Sequence, residues 1–358
     1  VEGGLYSLLE VIQGLRSALF HDRHLIWLLV TVPYTFLHLH RPVTQRGRVT
    51  PMDRFQTPVS ATYVDGLTVK PDCGPYVPAG PYLRFHKLNV VGWKIVNLDD
   101  AGIPRNSQGG GEHYNPVTIA HYGLEMASQH ILGETDRSVE VTNVLRYALN
   151  AQDASGGWPF TFDHVFFAGR VAKMPAGWYS SLSQGMMISL YARWFAHIKD
   201  AGPEISEQTL RDSIELSCNI IGMDVERGGV RRRIFGEHDF YEEYPTTPSS
   251  LVLNGFMFCL LGLYDGFKIF GSSRCKELFD KGITTLAAVL PMYDLADGSA
   301  YDLTHITTGI EGPNTARPAY HRLHISLLAA LSSTQGGSFD RIVDRWDNYL
   351  KGNRLRTN

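Results

Sequence analysis

The 358-residue sequence has little that would serve metal, nucleic-acid or membrane chemistry. Its four cysteines, Cys73, Cys218, Cys259 and Cys275, form no CxxC pair, which excludes the usual thiolate metal site. Cys259 sits in the apolar run Gly255 to Gly262, so the cysteines read as core residues. Charge is also scarce, at 19% of residues with a net charge of −3. Nucleic-acid binding normally needs a strong basic excess, so a nucleic-acid partner is not expected. The longest apolar stretch, Leu25 to Leu37, is about 13 residues and contains Pro33. That is short of the ~20 needed to span a bilayer, so a buried or interfacial helix is expected and no stable membrane span. No GxGxxG follows a strand, no HExxH occurs, and no acidic cluster has calcium-site character, so no cofactor and no metal are expected. The sequence opens on Val1. Its start therefore constrains no compartment.

Aromatic side chains are plentiful: 17 Tyr, 17 Phe and 6 Trp in a chain that is 44% hydrophobic. This is enough for a sizeable core, and tyrosine and tryptophan add polar handles that suit sugar-binding clefts. Basic residues cluster at Arg41, Arg46, Arg48 and Arg54, and again at Arg231 to Arg233, so an acidic sugar chain is an admissible ligand.

The texture changes twice along the chain. Residues 1–40 carry helical periodicity, with Leu5, Leu8, Leu9, Ile12 and Leu15 on one side, and predict an N-terminal helical hairpin. Residues 41–114 are rich in Pro, Gly and Thr with short β-type runs such as Lys87 to Val96, and predict a small β- and loop-rich segment. From 115 to 358, amphipathic runs alternate with Gly/Pro/Asp loops, and a mainly α fold is expected. An aromatic-polar cluster precedes each apolar helix there: Tyr114-Asn115-Pro116, Trp178-Tyr179-Ser180, Tyr244 to Ser249, and Tyr320-His321. This pattern suggests helix pairs curled into an incomplete (α/α) toroid, with the loops converging on one rim. Gln152 to Trp158, a Gln-x-x-x-Gly-Gly-Trp string, resembles the loop signature of such toroids, with Trp158 in a structural role.

Two segments carry chemistry. In Tyr241-Glu242-Glu243-Tyr244-Pro245-Thr246-Thr247-Pro248-Ser249, a helix start needs only a capping hydroxyl and Pro248, which leaves two glutamates and two tyrosines surplus. The stretch from Tyr301 to His324 concentrates Tyr301, Tyr320, His305, His321, His324, Arg317 and Arg322 between turn-forming residues. His321 and His324, three apart, could share a helix face, but no matched carboxylate supports a metal site.

The string Glu242-Glu243-Tyr244-Pro-Thr-Thr-Pro, with Leu253-Asn254-Gly255-Phe256, Tyr301-Asp302-Leu303 and Tyr320-His321, resembles the C-terminal domain of heparosan (heparan sulfate) D-glucuronyl C5-epimerases. The likeness is clear over about the C-terminal third and fainter back to Tyr114. It departs from the vertebrate pattern at Thr304 and at Pro318-Ala319. The resemblance implies an isomerase that converts D-glucuronate to L-iduronate within a heparosan-type polysaccharide. The family's essential glutamate and tyrosines fall on Glu243, Tyr244, Tyr301 and Tyr320.

Abstracting a proton alpha to a carboxylate and returning one on the opposite face needs two acid/base groups. Glu243 and Tyr320 are the expected pair, with Tyr244 and Tyr301 orienting the sugar or relaying protons. Charge gathering on the substrate carboxyl would be met by Arg317, His305, His321 and a helix start near Pro245 to Ser249. Further substrate contacts are expected from Tyr114, Asn115, Trp178, Tyr179, Gln184 and Asn254. The residues alone leave a polysaccharide lyase open, because it shares the C5 carbanion, as well as a non-catalytic carbohydrate-binding helical module. A symmetric homodimer is the default for any oligomer.

Overall fold

The computed structural model describes residues 75–108, 111–166, 171–199, 204–310 and 312–352. The expected helical hairpin over residues 1–40, the arginines from Arg41 to Arg54, and Cys73 lie outside them. The fold is mainly α, with a few short strands ahead of the helices.

Strands β1 (Val96–Leu98), β2 (Pro104–Gln108) and β3 (Gly111–His113) form an antiparallel sheet in that order. Asn106 stands opposite Val96 on one side and His113 on the other. The run Lys87 to Val96, expected as a strand, is mostly not one: it contains 3₁₀ turns at Phe85–Lys87 and Val90–Gly92, and pairing begins only at Val96. Its buried positions explain why. Phe85, Leu88, Val90, Trp93 and Val96 lie mainly three apart, the 3₁₀ spacing rather than the strand's two.

Helices follow as α1 (Pro116–Ile131), α2 (Ser138–Ala151), α3 (Ser181–Ile198) and α4 (Glu207–Gly222). A hairpin of β4 (Arg231–Ile234) and β5 (His238–Tyr241) intervenes, pairing Arg231 with Tyr241. Then come α5 (Leu253–Phe270), α6 (Ser273–Val289), the short α7 (Thr304–Thr308), α8 (Pro318–Thr334) and α9 (Asp340–Leu350).

The helices form two rows. In the inner row α1 packs on α3, α3 on α5, and α5 on α8; in the outer row α2, α4, α6 and α9 each pack on the inner helix that precedes them or on its neighbour. Composition dictates the assignment. On α2 the buried residues are Val141, Val144, Leu145 and Ala148, one stripe at helical spacing, so its other face is left to water. Helices α3 and α5 are buried almost all round, from Ser181 to Phe195 and from Leu253 to Leu263. Although α5 is apolar enough by composition to cross a membrane, most of its surface is covered by protein. Its contact with α3 is backbone to backbone, and a Cβ added at Gly262 would lie 2.0 Å from the Gly185 carbonyl oxygen. Only glycines permit that approach.

Asn115 starts the inner row, its Oδ1 accepting hydrogen bonds from the Val117 and Thr118 amides while Pro116 occupies the first turn. Trp158 closes the end of α2 by donating its indole N–H to the Ala148 carbonyl at 2.8 Å. The cysteines Cys218, Cys259 and Cys275 are free and buried.

Candidate active site

The centre of the site lies where β5 runs into α5. Extended chain sends consecutive side chains to opposite faces, and Glu242 and Glu243 diverge accordingly. Glu242 turns toward the loop ahead of α5, where one carboxylate oxygen accepts the Ser250 hydroxyl and the Leu251 amide, both at 3.0 Å. Its own backbone is pinned between Val230 and Ser181. It thereby holds Leu251 in a left-handed conformation, φ +52°, that a leucine adopts only under constraint.

Glu243 turns the other way, onto the first turn of α5, and accepts a hydrogen bond from the Asn254 carboxamide at 3.1 Å. The seat exists because residue 255 is glycine: a Cβ there would lie 2.4 Å from the Glu243 Cβ and 2.4 Å from its carboxylate oxygen. Burial raises the Glu243 pKa to about 7, against hydrogen bonds from the Tyr244 hydroxyl, the Gly255 amide and Asn254, while the charge of Glu242 adds to the rise. The helix start expected near Pro245 to Ser249 is corrected by this geometry. Helix α5 begins at Leu253 because Glu242 takes the Ser250 and Leu251 donors, and in its first turn the Leu253 amide bonds the Tyr301 carbonyl while the Gly255 amide serves Glu243.

Three phenols gather round this carboxylate. Tyr244 follows it directly and stacks on His164 and Phe166, with ring centroids 5.2 and 4.5 Å away. Tyr301 is fixed by its backbone, which bonds to Asn314 and to the first residue of α5. Its ring meets Tyr320, in the first turn of α8, edge-on at 4.9 Å. Burial and then the Glu243 charge push all three phenols above their ordinary range, although the positive charge of Arg317 opposes the rise at Tyr320. At neutral pH they are therefore proton donors, and the group poised to accept is Glu243.

A cleft of about 130 Å³ opens above these groups. The N-terminal ends of all four inner helices border it, through Asn115 and Thr118 of α1, Ser180 ahead of α3, Asn254 of α5 and Tyr320 of α8. Parallel helices that point their N-termini at one space hold partial positive charge there, which favours an anion without a metal. Among the described residues no three metal-ligating side chains converge. One wall is aromatic: Trp178 stacks on Phe160 at 3.9 Å and donates its indole N–H to the Phe162 carbonyl.

Several side chains on the cleft were not singled out in the sequence: Trp93, Asn106, His121, Phe160, Phe162 and His164. The alternation Phe160-x-Phe162-x-His164 straight after Trp158 is a local signal for the last three. Trp93 and Asn106 carry none, since only packing of the first sheet and the chain ahead of it onto α1 brings them there, and His121 stands on α1 itself, one turn beyond Val117 and Thr118. Burial lowers the His121 pKa to about 3, so it is a neutral imidazole, and its Nδ1 lies 2.6 Å from the Val117 carbonyl.

Of the expected residues, Glu243, Tyr244, Tyr320, Asn254, Asn115 and Trp178 line the cleft, and Tyr301 stands behind Tyr320. Others are placed elsewhere. His321 bonds through its two ring nitrogens to Ser299 and the Trp346 carbonyl, so it fastens α8 to α9, and His324 shares Ser299 with it. Gln184 is buried between Trp158 and Ser217. The Tyr179 hydroxyl donates to Asp153, and that of Tyr114 to Asp99 at 2.7 Å. Arg317 is exposed ahead of α8, and His305 lies on α7 beside Asp302. Thr304 bonds Asp302 through both its amide and its hydroxyl and so starts α7. Arg231, Arg232 and Arg233 are each paired with an acid, Asp224, Glu226 and Asp239 respectively.

A buried carboxylate that titrates near neutrality, ringed by protonated phenols under converging helix N-termini, is equipment for moving a proton beside an anion. Residues 152–348 match the family described as D-glucuronyl C5-epimerase C-terminus, and the chain belongs to that family. It is 34% identical over 220 residues to a D-glucuronyl C5-epimerase of Caenorhabditis elegans, covering 58% of this chain and 34% of that protein. It is also 27% identical over 149 residues to an uncharacterized protein of Methanocaldococcus jannaschii, covering 40% of this chain and 44% of the other. The chain thus spans less than half the length of these two relatives.

Proposed function

We propose that the protein is a polysaccharide C5-epimerase that converts D-glucuronate to L-iduronate residues in a heparosan-type chain, on a helical domain of the incomplete (α/α) toroid class. The observation that carries this reading is Glu243, a buried carboxylate with its pKa at about 7, set among Tyr244, Tyr301 and Tyr320 at the floor of an aromatic cleft.

The C5–H bond breaks toward the ionised Glu243, which takes the proton. The electron pair enters the substrate carboxyl group, whose two oxygens gather charge under the helix N-termini. The Tyr320 hydroxyl then delivers a proton to C5 from the opposite face, inverting the centre. Tyr244 and Tyr301 adjoin both groups and return the proton balance to the starting state. The reverse reaction uses the same groups with roles exchanged, and no external oxidant or reductant enters. Asn254 and the Gly255 amide hold the Glu243 carboxylate in place, and Trp178 borders the cleft as part of its aromatic wall.

The test is proton NMR of heparosan incubated with the protein in deuterated water. The expected result is deuterium at C5 of uronate residues in an intact chain, with iduronate signals appearing. Absence of exchange at C5 overturns the reading, and UV-absorbing unsaturated chain ends assign the carbanion to elimination instead.

A further inference from the structure

We propose that His164 is a substrate-binding residue that takes up a proton as the carboxylate of a bound uronate reaches it, so that the cleft gains a positive charge together with its ligand. The inference rests on the reading of the cleft as a uronan site. Among the described side chains that border the cleft there is no lysine and no arginine, and only His121 and His164 can become cations. His121 is excluded by its surroundings: it is buried, its Nδ1 lies 2.6 Å from the Val117 carbonyl, and desolvation holds it neutral. The helix N-termini offer partial charge only. A full positive charge from these residues therefore has to come from His164.

The chain around His164 places it for this role. Its amide and carbonyl both bond to Met174 at 2.9 Å, which fixes the backbone, and its half-buried ring borders the cleft. Among the described residues neither ring nitrogen has a hydrogen-bond partner, and neither is sealed from solvent. The ring lies nearly parallel to those of Trp178 and Tyr244, at 28° and 18°, with centroids 5.7 and 5.2 Å away. A cation within about 6 Å of an aromatic face is attracted by the ring's quadrupole, so both neighbours favour an imidazolium.

The titratable groups about the ring are the Tyr244 phenol against it, Glu243 on the same cleft, and Asp163 and Lys173, which pair with each other beside the bridge to Met174. None of them moves it: burial is the cause that holds it below its ordinary value of 6.5, and the free protein carries it neutral. A carboxylate brought to the ring edge reverses that balance. The imidazole nitrogen gains a proton from water and donates it in a charge-assisted hydrogen bond to a carboxylate oxygen. Linkage sets the sign. Affinity is highest where the free ring is already charged and falls as pH rises from the free-state to the bound-state value, with net proton uptake between the two.

The experiment is calorimetric titration with a heparosan octasaccharide between about pH 6 and 8, in buffers of different ionisation enthalpy, which counts the protons exchanged on binding. It is run in Glu243→Gln, because Glu243 also titrates near neutrality and would add its own proton. Uptake approaching one proton is expected in this background. Adding His164→Phe, which keeps a ring beside Trp178 and Tyr244, should abolish the uptake and weaken binding about tenfold. A carboxyl-reduced octasaccharide, with glucose in place of each glucuronate, should bind both variants equally and without uptake. No uptake at any pH in the range, uptake retained in the double variant, or uptake on the carboxyl-reduced chain overturns the inference. Nitrogen-15 NMR of the imidazoles, with the His164 signals assigned through His164→Gln, reads the same event directly: a ring still neutral at saturation overturns it even if His164→Phe fails to fold. Exchange at C5 is scored separately in the wild type. Uptake without exchange would sink the epimerase reading and leave the role of His164 standing, exchange without uptake would do the reverse, and no binding at all would overturn both.

Discussion

Helices α3 and α5 carry ionisable groups at both ends, and the two ends treat them in opposite ways. At the N-terminal ends a carboxylate is buried and phenols surround it, and among the described residues none of the forces on its titration comes from a cation. Toward the C-terminal ends, Arg193 of α3 is paired with Asp265 of α5, both fully buried. Ser189 and the Tyr76 hydroxyl also donate to that carboxylate, at 2.7 and 2.8 Å, and the Arg193 guanidinium lies over the rings of Tyr76 and Tyr82. The segment that provides these rings also bonds Ser128 of α1 and Ser333 of α8. One chain segment thus touches all four inner helices at their far ends, then runs along α1 to deliver Trp93 to the cleft. The far end neutralises its charge to hold the row together. The near end, among the described residues, meets its carboxylate with phenols, a carboxamide and a helix amide instead of a cation. Polar burial serves the fold in the first place and the proposed chemistry in the second, and mutations at the two ends should separate accordingly.

The largest separation is expected from Glu243→Gln. Loss of the general base should lower the C5 exchange rate by about 10²- to 10⁴-fold, with the urea midpoint unchanged or raised because an unpaired buried carboxylate has gone. Asp265→Asn should do the reverse. Leaving the buried Arg193 without its counter-ion should cost about 3–5 kcal/mol of stability by denaturant titration, with exchange per folded molecule retained. If Asp265→Asn instead abolished exchange in a fully folded protein, the contrast between the ends would fail.

Two glycines sharpen the same contrast at smaller cost. Gly262→Ala drives a methyl group into the Gly185 backbone and should destabilise by about 1–3 kcal/mol through overpacking. Gly255→Ala drives one into the Glu243 side chain, so its loss should appear in exchange rate more than in unfolding.

The mildest test is pH. With Glu243 acting as base and its pKa at about 7, kcat/KM should fall tenfold per pH unit below that value, and the limb should vanish in Glu243→Gln. Stability has its own sign. Glu242 and Glu243 are both raised to about 7 in the folded protein, so the folded state binds more protons than the unfolded chain. Their contribution is full below the unfolded carboxyl value of about 4.5 and is lost as pH rises through about 7. Burial lowers His324 to about 3, and its contribution is present above the unfolded value of 6.5 and lost as pH falls through the folded one. Comparing urea midpoints from pH 4 to 8, Glu243→Gln should show a shallower decline than the wild type between about 4.5 and 7.

Much of this arrangement was legible in the residues, for reasons of spacing. Helical periodicity needs only a local stripe, as in Val141, Val144, Leu145 and Ala148, so the mainly α fold could be read directly. The surplus of Glu243, Tyr244, Tyr301 and Tyr320 over what folding requires pointed to residues that the structure brings together. The aromatic-polar clusters ahead of the inner helices were readable for the same reason, since residues before a helix N-terminus are placed by the helix itself. What the clusters could not show was which member faces the cleft. Trp178 does and Tyr179 does not, because Tyr179 packs on Gly157 and bonds Asp153. His321 looked like a substrate ligand, and a contact with Ser299 and α9 claims it instead.

By itself, the sequence determined the mainly α character of the fold and the dense acid–base vocabulary near Glu243 and Tyr320. These follow from neighbours within a few residues. Tertiary structure alone decided that Glu242 supports the turn while Glu243 stands in the cleft, that Asn106 and Trp93 join a site more than a hundred residues away in sequence, and that Glu243 titrates near pH 7. Burial and desolvation depend on what packs from every side, and no local pattern of residues encodes that.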